Sequence, residues 1–159
     1  MSVKYEIDNL DRKIIGLLMK DARMSFLEIA RELKVSGGTV HGRYSKLRSA
    51  GIIKGTHIDV DFEKTGLGIS CFVGLTLTSA RKLREVIALL EKINEITEVH
   101  YTTGEYGLLI KVILPKIEDL YIFLAEKLQA IEFIQSTETF VILNSRYQNE
   151  NILNSASDI

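Results

Sequence analysis

The stretch "SGGTVHGRYSKLRSA", residues 36–50, gathers Thr39, His41, Arg43, Ser45, Lys46 and Arg48 and contains no acidic residue. Read at 3.6 residues per turn, Val40, Tyr44 and Leu47 form a narrow apolar stripe, and the cations and hydroxyls surround it. Thr39, Arg43 and Lys46 fall at i, i+4 and i+7 on one outward stripe, flanked by His41, Ser45 and Arg48. Guanidinium and hydroxyl groups on one helix face are donors suited to the edges of bases, where Arg can bond guanine in bidentate fashion. Lys46, Arg48 and the free amides behind a Ser36 cap suit phosphate oxygens, which position a duplex without specifying its sequence. Ser25, at the start of the preceding helix, is counted with this set. A solvated basic face on a three-helix bundle accounts for the same residues without any ligand.

A second stretch, "EVHYTTGEYGLLIKV" (98–112), joins two apolar runs through Thr102-Thr103-Gly104-Glu105-Tyr106-Gly107. A Gly-containing bend can turn several backbone N–H groups toward one anion. Glutamates at such a bend can meet an ammonium, and threonine and tyrosine hydroxyls both donate and accept. On the residues alone, Thr102, Thr137 and Thr139 are explained as cross-strand pairs and Tyr106 as a filler of an interface.

The elements that must hold these groups are legible from spacing. Leu10, Ile14, Leu17 and Leu18 mark a first helix over 8–20, capped by Asp8. Ser25 and Glu28 have capping-box spacing and open a second helix bearing Ile29, Ala30 and Leu33, which stops near Lys34-Val35. The third runs from Ser36 to Ala50 with Gly51 behind it. Helix, tight turn, basic helix is the arrangement of a helix-turn-helix reader, and small Ala30 lets the second and third helices cross closely. "GIIKGTHIDVDFEKTGLG" reads as one strand and a Gly-bounded linker. Then come a strand (69–77), a helix with Leu83, Val86, Ile87 and Leu90 behind Ser79, and hairpin arms at 96–102 and 108–114. A helix after Pro115 with Ile117, Leu120, Leu124 and Leu128 and a strand at 133–143 follow. The fold class is α+β: a three-helix domain, then a ferredoxin-like βαββαβ domain with both helices on one sheet face. The boundaries are 1–55 for the helix-turn-helix domain, 56–67 for the strand and linker, 68–145 for the ferredoxin-like domain and 146–159 for a polar tail.

Leu109 and Ile113 alternate with Leu108, Ile110 and Val112, so the sheet should be apolar on both faces and need a second cover. Another copy of the chain is the simplest one, which predicts a homodimer through the sheets.

The 159 residues are 46% hydrophobic and 26% charged, a globular balance. Residues 1–60 carry 11 Lys and Arg against 7 Asp and Glu, and the rest carry 9 against 14, so a basic front half precedes an acidic rear half. No apolar run reaches the roughly 18–20 residues of a membrane span. The single cysteine, Cys71, and the charged start predict a cytoplasmic protein. No metal-spaced Cys/His cluster, phosphate loop or nucleophile elbow occurs, and the reading is a non-enzyme without cofactor or metal.

The segments "IDNLDRKIIGLLMKDAR", "LEIARELKVSGGTVHGRYSKLRSAGIIKG", "YTTGEYGLLIKV" and "IQSTET" together resemble the Lrp/AsnC family of transcription regulators, over about residues 5–144. The last two look more like its asparagine-responsive branch. The resemblance implies DNA binding by the helix-turn-helix, dimers that assemble into octamers of four dimers, and an amino-acid effector bound between dimers near the hairpin turn. Two departures stand out: Lys34 occupies a turn where many relatives carry Gly, and Gly104-Glu105-Tyr106-Gly107 lacks the second acid of leucine-responsive relatives.

On that implication the hairpin groups become an amino-acid site. Gly104 and Tyr106 amides face the carboxylate, and Glu138 or Glu105 the ammonium. Tyr101, Thr102, Gln135 and Thr137 serve a side-chain amide, so asparagine is the favoured effector. The function read here is a sequence-specific, amino-acid-responsive transcription regulator acting on double-stranded DNA as a homo-oligomer. The alternative is an architectural DNA-binding protein without an effector.

Overall fold

The computed structural model describes residues 5–145 and divides them into two compact units, one ending at Asp59 and the other spanning Val60–Ser145. The polar tail at 146–159 lies outside the described residues.

The first unit holds α1 (Asn9–Lys20), α2 (Phe26–Leu33) and α3 (Gly37–Ser49). Each begins at a side-chain cap: Asp8 on the Asp11 amide, Ser25 on Glu28 and Ser36 on Thr39. Caps satisfy amides that the first helical turn leaves without partners. The helices then bury Ile14, Ile29, Ala30 and Val40 together, with Leu10, Leu17, Leu18 and Leu33 packed partly buried around them. Each such aliphatic side chain contributes about 1.5–3 kcal/mol when fully withdrawn from water. Between α2 and α3 the chain reverses at Lys34, whose φ of 55° and ψ of 43° lie in the left-handed region. Gly51, with φ 70°, ends α3 in the same region.

The strand expected in "GIIKGTHIDVDFEKTGLG" does not form; bends and loop occupy 51–62 and a short 3₁₀ turn spans Glu63–Thr65. The amides of Ile52 and Ile53 fold back onto the Leu47 carbonyl at 3.0 and 3.2 Å instead. A strand needs a hydrogen-bonded neighbour, and among the described residues none runs beside this segment.

The second unit contains β1 (Ile69–Leu77), α4 (Leu83–Leu90), β2 (Ile96–Tyr101), β3 (Leu108–Leu114), α5 (Ile117–Ile122) and β4 (Ile134–Val141). The sheet order β2-β3-β1-β4, antiparallel throughout, is that of the ferredoxin-like fold. Cys71, Val73 and Leu75 of β1 and Leu108, Ile110 and Val112 of β3 form the sheet side of its core. Val86 and Leu90 of α4, with Leu120, Phe123 and Leu128, cover them. The second helix departs from the expected spacing. After Ile122 it widens into a π-helical stretch, Phe123–Leu128, in which Phe123 and Leu128, five residues apart, are both buried, while Ile117 at the helix start is exposed.

The opposite sheet face is mixed rather than apolar. Phe72, Leu109, Ile113 and Phe140 share it with Lys111, Glu98 and His100, because register places Lys111 opposite both Phe72 and Glu98. Glu98 accepts from Lys111 at 3.0 Å and lies 2.8 Å from His100, and these partners hold its carboxyl below the usual range, His100 first. Among the described residues no helix is long and apolar enough to cross a membrane.

Candidate functional site

Two sites were expected, and each is built by the element that carries it. In the first unit, Ser36 caps α3 by accepting from the Thr39 amide at 3.0 Å, and its hydroxyl lies 2.8 Å from that of Thr39. This hydroxyl pair stands at the exposed start of the helix. Val40 and Leu47 are buried and Tyr44 is partly so, which seats α3 on α1 and α2. Phe26 of α2 packs its ring against Tyr44 (5.0 Å between centroids) and edge-on to His41 (5.7 Å). His41 therefore leans on α2 at the rim of the exposed surface. Lys46 is fully on that surface.

Arg43 departs from the expected outward stripe. Its guanidinium turns to the start of α1, where it bonds the Asp8 carboxylate and lies 3.3 Å from that of Asp11. Asp11 is completely buried and also accepts from the Tyr5 hydroxyl at 3.0 Å. Its other task is the capping box, in which the Asp8 amide donates to it at 3.2 Å and Asp8 accepts from the Asp11 amide at 2.9 Å. That amide first, then Arg43, holds the Asp8 carboxyl below its usual range, while bonding to Asp8 raises Arg43. A buried carboxylate is retained only when paired, so Arg43 belongs to the fold of the unit. Arg48 is likewise committed, donating to the Lys54 carbonyl at 3.0 Å. Ser25 accepts from the Glu28 amide, and its hydroxyl donates to the Glu28 carboxylate at 2.6 Å.

Opposite Val40 and Leu47 lie Gly38, Gly42, Ser45 and Ser49, at i, i+4, i+7 and i+11. The outward pole of α3 is thus a row of small residues flanked by Thr39 and Lys46. Nothing lies within 4 Å of where a Gly42 Cβ would stand. The signal was present in the sequence, since two glycines inside a helix cost stability that the fold does not recover. A cleft of about 970 Å³ opens elsewhere in this unit, walled by Ile15, Leu18, Met24 and Phe26; of the residues expected at either site it contains only Ser25.

In the second unit the hairpin 102–107 closes through the Thr102 amide on the Gly107 carbonyl at 3.3 Å and the Thr102 hydroxyl on the Tyr106 carbonyl. Thr102 is spent on the turn. Gly104 takes no left-handed conformation, and the space beside it is open, so the bend does not depend on its being glycine. Tyr106 folds back over the sheet. Its hydroxyl donates to Glu138 and its ring meets Phe140 edge-on at 6.1 Å. Glu138 pairs in register with Gly74, which puts it on the face away from the helices. Gly74 is the residue the spacing did not single out: a Cβ there would stand 2.5 Å from the Tyr106 ring. A glycine inside "ISCFVGLTL" is the available sign of such a close approach.

The remaining expected groups do not converge within one chain. Tyr101 ends β2 and pairs with the core residue Leu108, whereas Thr137 pairs with Leu75 on the far edge strand β4. With β2 and β4 at opposite edges of four strands, they are separated by three strand spacings, about 14 Å. Gln135 bulges out of β4 between Thr76 and Leu77, exposed. Glu105 is exposed at the bend. Beyond the Thr102–Tyr106 bond inside the turn, Tyr106 and Glu138 are the pair among these groups that meets directly.

With this geometry in hand, the comparisons with known proteins are specific. Residues 7–48 match the AsnC-type helix-turn-helix domain, and residues 70–152 match the Lrp/AsnC ligand binding domain. The chain is 44% identical to the regulatory protein AsnC of Haemophilus influenzae over 89% of its length and 94% of that protein. With the Escherichia coli K12 protein of the same name the identity is 45%, over 89% of this chain and 93% of that one. The solved structure of E. coli AsnC superposes with a TM-score of 0.84 at 43% identity, covering 91% of this chain and 97% of that one. A Neisseria meningitidis transcriptional regulator in complex with L-Met shares the fold, with a TM-score of 0.84 at 22% identity over 90% of this chain and 94% of that one.

Proposed function

Since the chain belongs to the Lrp/AsnC family, a DNA-binding, amino-acid-responsive class of transcription regulators, we propose that its effector is asparagine. The observation that carries this reading is the polar end of the sheet. Glu138 stands bonded to Tyr106 on one face, and Gln135, Ser136 and Thr137 are exposed on the same edge strand. Such a surface offers a donor and an acceptor to a side-chain amide and would leave a leucine side chain against polar groups. The Glu138 carboxylate takes the effector ammonium, displacing the Tyr106 hydroxyl, and amides of the hairpin take the effector carboxylate.

Tyr101 and Thr137 lie too far apart to serve one ligand in one chain, which favours a site completed by a second copy. We place the chain in a homodimer joined through the mixed sheet face and four dimers in an octamer, with the completing copy supplied by a neighbouring dimer. Effector binding between dimers then changes the spacing of paired readers and hence operator affinity. The protein works in the cytoplasm, without a cofactor and without catalysis. Thr39 and Lys46, with the Ser36 cap amides, are the groups of α3 that reach DNA.

Calorimetric titration of the purified chain with asparagine, then with the other amino acids, tests the reading. Saturable binding of asparagine, lost in Gln135→Ala and Glu138→Ala, supports it. Heat with another amino acid alone replaces the ligand. No heat with any amino acid, beside intact operator binding, transfers the chain to the architectural class.

A further inference from the structure

Arg43 sits on the DNA-reading helix, yet its guanidinium is bonded to Asp8 and held at 3.3 Å by the wholly buried Asp11, both at the start of α1. A phosphate would have to compete with two fixed carboxylates for this one cation. The same two carboxylates form the capping box that starts α1, so they cannot swing away without opening that helix. Tyr5 adds a third fixed contact to Asp11. A planar guanidinium spanning two anchored acids defines the rotation of α3 about its own axis more tightly than apolar contacts do. That rotation decides where the row Gly38, Gly42 and Ser45 points, and with it the reach of Thr39 and Lys46.

We infer that Arg43 is a positioning residue: Asp8 and Asp11 withhold it from DNA, and the ion pair sets operator discrimination by fixing the roll of the recognition helix against α1. The reading rests on α3 being the helix that meets DNA. It separates two properties that a DNA-contacting arginine would join. A phosphate contact appears in the salt dependence of binding on every sequence, whereas helix roll appears in the ratio between a preferred and an indifferent sequence.

The experiment uses the full chain, the duplex it selects from a random-sequence pool, and a scrambled duplex of equal composition. Affinities for both are measured across salt concentration. Lys46→Met is the reference and should reduce the slope of log affinity against log salt by about 1 on both duplexes. Arg43→Met should leave that slope unchanged and reduce the selected-to-scrambled ratio by about tenfold. Asp11→Asn should lower the ratio similarly, and the double variant should lower it no further. Should those variants fail to fold, Asp8→Asn keeps a good N-cap while removing one carboxylate, and must lower the ratio by about threefold. A slope reduced by about 1 in Arg43→Met makes Arg43 a phosphate contact and overturns the inference. An unchanged ratio in the folded variants also overturns it, leaving the pair as fold support alone. If Lys46→Met leaves the slope untouched, the assignment of α3 as reader fails instead.

Discussion

The ring of Tyr106 lies directly on Gly74, so close that a Cβ at that glycine would stand 2.5 Å from the ring carbon Cγ. The glycine is what allows a residue of the hairpin loop to reach Glu138 on the far edge strand. One backbone position in β1 thereby connects the bend to the strand that carries the effector candidates Gln135, Thr137 and Glu138.

Gly74→Ala should lift Tyr106 off the sheet and break its bond to Glu138. Overpacking of a buried strand position should cost about 1–3 kcal/mol, read by denaturant unfolding. The bond to Glu138 pushes the Tyr106 phenol up to about 12, from 10.0. A raised phenol favours the protonated, folded form, so its contribution is intact below pH 10 and disappears as pH rises through about 12. Ultraviolet titration of the tyrosines should show the highest transition in the parent chain. In Gly74→Ala that transition should return toward 10.

Tyr106→Phe should tighten asparagine binding several-fold, because the ammonium no longer competes with a hydroxyl for Glu138. The calorimetric titration measures it directly. Weaker binding would instead make the Tyr106 hydroxyl part of the ligand's own contact set.

Lys34→Gly should stabilise the helical unit by about 1 kcal/mol, since a side chain with φ near 55° occupies a region that glycine enters freely. Chemical denaturation of the two chains side by side checks it. No gain would mean that contacts of the lysine stem offset the strain.

Gly42→Ala should favour the helical form of α3 by about 0.5–1 kcal/mol, as its Cβ would meet nothing within 4 Å. The added methyl stands on the pole we propose to face DNA and should weaken operator binding even as the melting temperature rises. A variant that is more stable and binds equally well would show that the duplex does not approach α3 at this position.

Local chemistry determined much of this protein without any tertiary information. Asp8, Ser25 and Ser36 start three helices because each satisfies amides within a few residues of itself, and Gly51 ends the third for an equally local reason. Apolar runs located the strands Ile69–Leu77 and Leu108–Leu114, and the order of four strands with two helices implied the ferredoxin-like sheet. Lys34 stood out only through the resemblance, as the residue in a turn where many relatives carry Gly, and the structure gives it the left-handed conformation. Partnerships across the chain were another matter. Arg43 resembles its basic neighbours until Asp11, 32 residues earlier, is seen buried against it. Gly74 is an ordinary strand glycine until Tyr106, 32 residues later, lies on it. Gln135, Thr137 and Tyr101 form a plausible ligand set by type, and only strand order shows them on opposite edges. Caps and periodicity act over one or two turns of backbone, so their causes are contiguous in sequence. Ion pairs, close approaches and sheet edges are decided by which distant segments pack together, and this packing exists only in the folded chain.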